Sequence, residues 1–304
     1  MRAAVIRSAA LTGTLLVLVY TLLISSADAI TKLLAGGYAA PQLYFVSGLL
    51  VVGMALTADR VKSGPRQGLR TSCPRAMAVR SVATVVSVTC YFYAFRLLPF
   101  AEVFVFIGLV PLLAGLLSGP ILGEHVRAPA WFALGAGFVG VLCLFPEGLH
   151  GIGTGHAIAF AASASGTLSM VVSRYIGRHE ANTLAQVFYP NLSLALVMGL
   201  ALPFVWKAMP LTDFGWAVAY ATVLFAGRWI LVIALSKLAA YAVTPLMNLQ
   251  FVWMVILGAV FFGEVPGGHI YLGVAIVIAS GTYLVYERIA ADRRVTRPAV
   301  IPAE

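Results

Sequence analysis

The sequence predicts an all-α integral membrane protein whose ten transmembrane helices form two inverted five-helix repeats. Three observations carry that expectation: a scarcity of charge, a regular series of long apolar runs, and a set of motifs that recurs after a constant interval. Of the 304 residues, 61% are hydrophobic and 10% charged, whereas soluble domains carry about 25% charged residues. With 20 Lys plus Arg and 11 Asp plus Glu, a water-soluble globule of this length would expose apolar surface on a scale that drives aggregation. Lipid is the solvent that fits, and a helix crosses its hydrocarbon core with about 20 predominantly apolar residues.

Taken in order, the apolar runs place helices at 11–35, 42–58, 76–98, 99–121, 128–146, 154–176, 183–206, 213–236, 240–262 and 269–287. Glycine and proline mark the breaks: Gly36-Gly37 and Pro41, Leu98-Pro99, Gly123-Glu124, Pro146-Glu147-Gly148, Met209-Pro210 and Pro266-Gly267-Gly268. These residues supply turn conformations or lack the N–H that a continuing helix needs. The connections between runs are too short to fold alone.

Basic residues set the orientation. If the N-terminus is cytoplasmic, Arg2, Arg7, the cluster from Arg60 to Arg80, Arg127, Arg174, Arg178, Lys237 and the tail arginines all lie on the cytoplasmic side. Only Arg96 and Lys207 in outer connections, and Lys32 and Arg228 within spans, complete the 20. That is the positive-inside bias, and one missed span would scramble it. Both termini are expected in the cytoplasm, the chain in the cytoplasmic (inner) membrane, and residues 288–304 in a cytoplasmic tail. The competing reading is a cleavable leader ending at Ala27-Asp28-Ala29, which would leave nine spans and break the duplication described next. The basic stretch from Arg60 to Arg80 suits anionic lipid headgroups, so no nucleic-acid partner is expected. Cys73, Cys90 and Cys143 show neither disulfide nor metal-site spacing.

The internal repeat appears as Ala94-Phe95-Arg96-Leu97-Leu98-Pro99-Phe100-Ala101-Glu102-Val103 against Ala234-Leu235-Ser236-Lys237-Leu238-Ala239-Ala240-Tyr241-Ala242-Val243, an offset of 140. Leu122-Gly123-Glu124 returns at the same offset as Phe262-Gly263-Glu264, and Ala40-Pro41-Gln42-Leu43-Tyr44-Phe45 aligns with Leu184-Ala185-Gln186-Val187-Phe188-Tyr189 at an offset of 144. The repeats are expected at 11–147 and 154–287. Each holds an odd number of spans, so the second enters the membrane upside down, an arrangement that places a central site between two rocking bundles. Gly135, Gly137, Gly140, Gly273, Ala275, Ser280 and Gly281 read as close-packing positions between helices.

The doubled pattern of Leu-Leu-Pro-Phe-Ala-Glu, Pro111 inside the fourth run, Leu-Gly-Glu, and a Gly-rich helix ending in Phe145-Pro146, with its echo through Phe262-Gly263-Glu264 and Ala279-Ser280-Gly281, resembles the EamA family. This is the ten-helix branch of the drug/metabolite transporter superfamily, and the similarity spans roughly residues 11–288. The segment from Ser26 to Lys32 with Pro41-Gln42 is similar to the bacterial subgroup that includes riboflavin and S-adenosylmethionine uptake carriers. The resemblance implies a secondary active transporter of a small organic metabolite, amino-acid-, nucleotide- or vitamin-like.

Charges inside the spans give the site candidates. An ion at the bilayer centre costs at least about 2.5 to 3.5 kcal/mol, so it should face the bundle interior and meet a partner. Asp28 and Lys32 stand one turn apart, a spacing that allows an intrahelical ion pair, and Glu102 enters the fourth helix from the same side within reach of Lys32 or Arg96. Arg228 lies mid-span where the first repeat has Val88, and its expected partner is Asp28, Glu102 or an anionic group of the substrate. Arg80 lies close enough to the cytoplasmic surface to snorkel. Asn191, Asn248 and Gln250 can bond a ligand or a neighbouring helix. Trp131, Trp206, Trp216 and Tyr271 fit the membrane interfaces, while Phe92, Phe106, Trp229, Phe251 and Trp253 lie deeper. The expected substrate pathway is Asp28, Lys32, Glu102, Phe106, Arg228, Trp229, Asn248, Gln250 and Trp253.

The alternative is a membrane-embedded enzyme acting on lipid-linked substrates. His125, His150, His156, His179 and His269 all fall in connections or at helix ends, so no catalytic set, metal site or cofactor is expected. A channel would need a charged ring or carbonyl filter, and ATP drive would need a Gly-rich phosphate loop. The expected partners are a small-molecule metabolite and membrane lipid, with the chain monomeric.

Overall fold

The computed structural model describes residues 2–61, 68–123, 153–180, 182–237 and 249–264, with isolated positions between 128 and 139 and between 247 and 283. Every described element is helical: α1 Arg2–Ala35, α2 Ala40–Val61, α3 Pro74–Leu97, α4 Phe100–Gly108, α5 Val110–Leu122, α6 Thr154–His179, α7 Thr183–Ala201, a short 3₁₀ turn Leu202–Phe204, α8 Leu211–Lys237 and α9 Gln250–Phe262. Seven segments are long and apolar enough to cross a membrane: Leu15–Ala35, Ala40–Ala58, Pro74–Leu97, Glu102–Leu122, Thr154–His179, Thr183–Phe204 and Leu211–Leu231. The expected spans at 128–146 and 269–287 fall outside the described residues apart from single positions.

The expected fourth helix is not continuous. It breaks at Leu109, so that α4 ends at Gly108 and α5 begins at Val110. Pro111 accounts for this locally, because a proline has no N–H to give to the turn before it. The same feature returns 140 residues later, where α9 starts after Leu249. Both broken spans also end alike, on Gly123 at φ 67° and Gly263 at φ 65°. A left-handed cap of this kind suits glycine, which has no Cβ to clash. Duplication therefore extends from motif to backbone conformation.

The helices pack as α1 against α8 and α9, α2 against α7, and α3 against α6. The α3–α6 seam is polar. Thr84 and Ser169 hydroxyls meet at 2.7 Å, Ser87 Oγ donates to the Ala162 carbonyl at 2.8 Å, and the Tyr91 and Ser163 hydroxyls meet at 2.8 Å. Small residues permit this approach, as is usual where lipid offers no hydrophobic drive between helices. A Cβ on Gly166 would lie 2.7 Å from Ser87 Oγ. Near the α1 C-terminus, Phe95, Phe100, Phe104 and Phe251 form a buried aromatic cluster, with Phe104 and Phe251 ring centroids 4.6 Å apart.

Replacing Gly166 with Val is expected to force α3 and α6 apart and to cost about 1 to 3 kcal/mol, the range for overpacking. Thermal unfolding of the detergent-purified protein should show a lowered midpoint, with Gly215→Val, which meets open space, as the control.

Candidate functional site

A cavity of about 260 Å³ lies inside the bundle, and each of the nine described α-helices contributes at least one lining side chain. Its volume sits near the lower end of small-molecule pockets, about 300 to 1,000 Å³. Three charged residues line it: Asp28, Arg80 and Arg228. None of the three forms a salt bridge among the described residues. Instead, each meets a buried carboxamide from another helix. Gln250 Nε2 donates to Asp28 Oδ2 at 2.8 Å, Arg228 Nη1 donates to Asn191 Oδ1 at 2.9 Å, and Arg80 Nη1 donates to Gln186 Oε1. Gln186 Oε1 also accepts from Ser173 Oγ at 2.5 Å, and Asn191 is tied back by its Nδ2 to the Val187 carbonyl at 2.7 Å. An amide satisfies part of the hydrogen-bonding capacity of an ion and leaves its charge intact. The Arg80 Nε is buried without a hydrogen-bond partner among the described residues.

Helical register puts these groups in place. On α1, Tyr20, Ile24, Asp28 and Thr31 line the cavity, and on α8 Tyr220, Leu224, Arg228 and Leu231 do so at the same intervals. Spacings of four, four and three residues hold one face of a helix. On α3 the lining face runs through Arg80, Thr84, Ser87 and Tyr91. Tyr44 of α2 completes an aromatic wall, its ring 6.1 Å from Tyr220 and 5.7 Å from the buried Phe92.

The expected pathway divides in two. Asp28, Arg228 and Gln250 line the cavity, whereas Lys32, Glu102, Phe106, Trp229 and Trp253 do not, and Asn248 lies outside the described residues. Lys32 does not pair with Asp28. Its Nζ bonds Glu264 Oε1 at 2.6 Å and sits 5.4 and 5.3 Å from the ring centroids of Phe100 and Phe262. A four-residue spacing allows the intrahelical pair, but Asp28 turns into the cavity toward Gln250 while Lys32, a turn further on, meets the carboxylate arriving from the end of α9. Glu264 Oε2 also accepts the Phe100 N–H at 3.1 Å, and a negative charge at the start of α4 is favoured by the helix dipole.

Glu102 meets His156 Nε2 at 3.3 Å instead of Lys32 or Arg96. Phe106 packs near His156 and Trp229 near Phe225, with centroids 6.1 and 5.8 Å apart. Arg228 bonds the Asn191 amide and neither Asp28 nor Glu102, which leaves an anionic group of the substrate as the remaining expected partner. Arg80 does not snorkel. It shares the cavity-lining face of Thr84, Ser87 and Tyr91, and its guanidinium reaches Gln186 on α7. At the opposite end from Lys32, Arg178 Nη1 donates to the Leu122 carbonyl at 2.8 Å, a cation at the end of α5. Sequence reasoning missed Arg80, Gln186 and the tyrosine wall as site residues. The signal was available as the three- and four-residue spacing of polar side chains along otherwise apolar helices.

A multi-pass helical bundle with a charged, amide-held cavity drawn from all its described helices has the architecture of a membrane solute carrier. The chain belongs to the EamA-like transporter family, which it matches twice, over residues 11–145 and 153–286. It is 25% identical over 232 residues to a riboflavin transporter of Rhizobium johnstonii, covering 74% of this chain and 75% of that protein. It is 26% identical over 223 residues to the pseudopaline exporter CntI of Pseudomonas aeruginosa, covering 71% and 74%. A riboflavin transporter of Vibrio cholerae is 24% identical over 234 residues, covering 76% and 78%. A solved crystal structure shares the fold with a TM-score of 0.67 at 20% identity, covering 96% of this chain and 99% of that one. The family and these relatives are transporters and not enzymes. Among the described residues, no group of three His, Cys, Asp or Glu is placed to hold a metal ion.

Gln186 holds both Arg80 and Ser173, so Gln186→Leu is expected to strand two buried polar groups. The cost of such a group is about 1 to 3 kcal/mol, more where it is charged. A lowered unfolding midpoint in detergent, larger than that of Gln186→Glu, checks this.

Proposed function

We propose that this protein is a secondary active transporter that moves a small organic metabolite, amino-acid-, nucleotide- or vitamin-like, across the cytoplasmic (inner) membrane by alternating access. The observation that carries this reading is the cavity, whose three charges come from both halves of the chain and are held by amides without being neutralised. A ligand supplies the opposite charge that the protein withholds. Both termini face the cytoplasm, a reading supported by the distribution of basic residues. The repeats, 11–147 and 154–287, insert with opposite orientation and rock about the cavity. The chain acts as a monomer, with lipid covering exposed residues such as Leu196, Leu200 and Val260, which are 62%, 79% and 70% accessible.

Within this reading Arg228 binds an acidic group of the substrate, and Asp28 exchanges a proton with the side to which the cavity opens. The Lys32–Glu264 pair and the Arg178–Leu122 contact lie at opposite ends of the bundle, where closure must alternate. Riboflavin, the substrate named for two of the relatives, is the comparison compound: it is large for a cavity of about 260 Å³ and has no ionised acidic group to offer Arg228.

Two outcomes are expected in proteoliposomes screened for saturable exchange of vitamins, amino acids and nucleotides. Arg228→Ala should abolish transport of whichever solute the parent carries while the protein remains inserted and monodisperse; near-normal transport would sink the role given to Arg228. Asp28→Asn should retain exchange of solute for solute but lose acceleration by an imposed pH gradient, and a variant that still follows the gradient would remove Asp28 as the proton site.

A further inference from the structure

We propose that the cavity selects an organic diacid, with one acidic group on Arg228, a second on Arg80, and the neutral or cationic end of the molecule directed at Asp28. The inference rests on the transport reading only in treating the cavity as the substrate site, and it names the chemistry of what fits there.

Guanidinium groups remain charged in proteins and present five N–H donors in a planar fork matched to carboxylate or phosphate oxygens. For each cavity arginine a single bond to an amide oxygen is seen, Arg80 to Gln186 and Arg228 to Asn191. The Arg80 Nε is buried and has no acceptor among the described residues, a donor that an incoming oxygen would satisfy. With Asp28 the only cavity carboxylate among the described residues, the site carries a net positive charge and is completed by an anion.

Two separate acidic groups, and not one shared between the arginines, follow from where the arginines stand. Arg80 is on α3, which packs on α6 and α7, and Arg228 is on α8, which packs on α1 and α2. Their holding amides, Gln186 and Asn191, are five residues apart on α7, about 7.5 Å along the axis at 1.5 Å per residue. Each guanidinium is thus fixed at its own level and on its own wall. Asp28, held by Gln250, repels a third acidic group and orients the ligand. Arg228 is the residue named in the transport proposal; Arg80 is the addition, a specificity-determining residue that tells a diacid from its monoacid counterpart.

The test measures binding to the full-length protein in detergent with two matched pairs, glutarate against valerate and L-glutamate against L-glutamine. At least one diacid is expected to bind ten- to a hundred-fold more tightly than its monoacid match, the range for a charge-assisted hydrogen-bonded contact. Arg80→Gln should weaken the diacid by that factor and leave the monoacid unchanged, so that discrimination disappears. Arg80→Lys should restore part of it, which a purely structural role would not do. Silence of both diacids, equal binding of a diacid and its match, or discrimination that survives Arg80→Gln would each overturn the proposal. Binding in detergent needs no flux. A diacid that binds but is never carried would therefore count against the transport reading and leave this one standing, whereas a carried monoacid with both diacids silent would do the reverse.

Discussion

Each charge in the cavity is held by a neutral amide, and the arrangement of the interior depends on that choice. An ion in a bilayer must find a partner, and the usual partner is an opposite charge. A close ion pair would cancel the field of the cavity and would have to be broken before a ligand could bind. The pairs Arg80–Gln186, Arg228–Asn191 and Asp28–Gln250 give each ion a fixed direction and some compensation for lost water, yet leave its charge outstanding. The amides are themselves nearly inaccessible, at 4%, 0% and 3%, and tied where needed by Ser173 or by their own helix. The only close Lys–carboxylate pair among the described residues, Lys32–Glu264, lies away from the cavity, where neutralisation costs the site nothing.

A second regularity is the repetition of irregular backbone. The breaks at Leu109 and Leu249 and the left-handed glycines at 123 and 263 recur at the interval that relates the sequence motifs. A break frees carbonyl and amide groups, which inside a membrane is tolerated only where the segment is buried or borders a cavity. Both breaks meet that condition, since Ile107 and Val110 on one side and Met247 and Gln250 on the other line the cavity. The duplication thus preserves two places where helices are interrupted next to the charged interior.

The fold class was legible because it follows from composition and period, which act at every residue. The site was legible only in part. Asp28 and Arg228 stand out because any charge deep in a span demands an explanation, and Gln250 for a weaker version of the same reason. Neither candidate partner of Lys32, Asp28 or Glu102, holds it, because spacing along one helix reveals which side chains can meet, not which tertiary neighbour competes for them; Glu264, 232 residues away, won. Arg80 was read by its nearness to the end of its span, while its face, shared with Thr84, Ser87 and Tyr91, puts it in the cavity wall. Gln186 was visible only as a repeat position aligned with Gln42, with nothing to mark its guanidinium partner.

The hydroxyl seam between α3 and α6 joins one helix from each family-matched half. Its four contacts, Arg80–Ser169, Thr84–Ser169, Ser87–Ala162 and Tyr91–Ser163, are spread along both helices like teeth on a rack. Sliding one helix along the other by a fraction of a turn would unmesh all of them together, and a full step of about 5.4 Å would be needed to bring a new set into register. Small tilts about the seam disturb these bonds far less. The rocking of the two halves proposed above would then run as a rotation about the α3–α6 line.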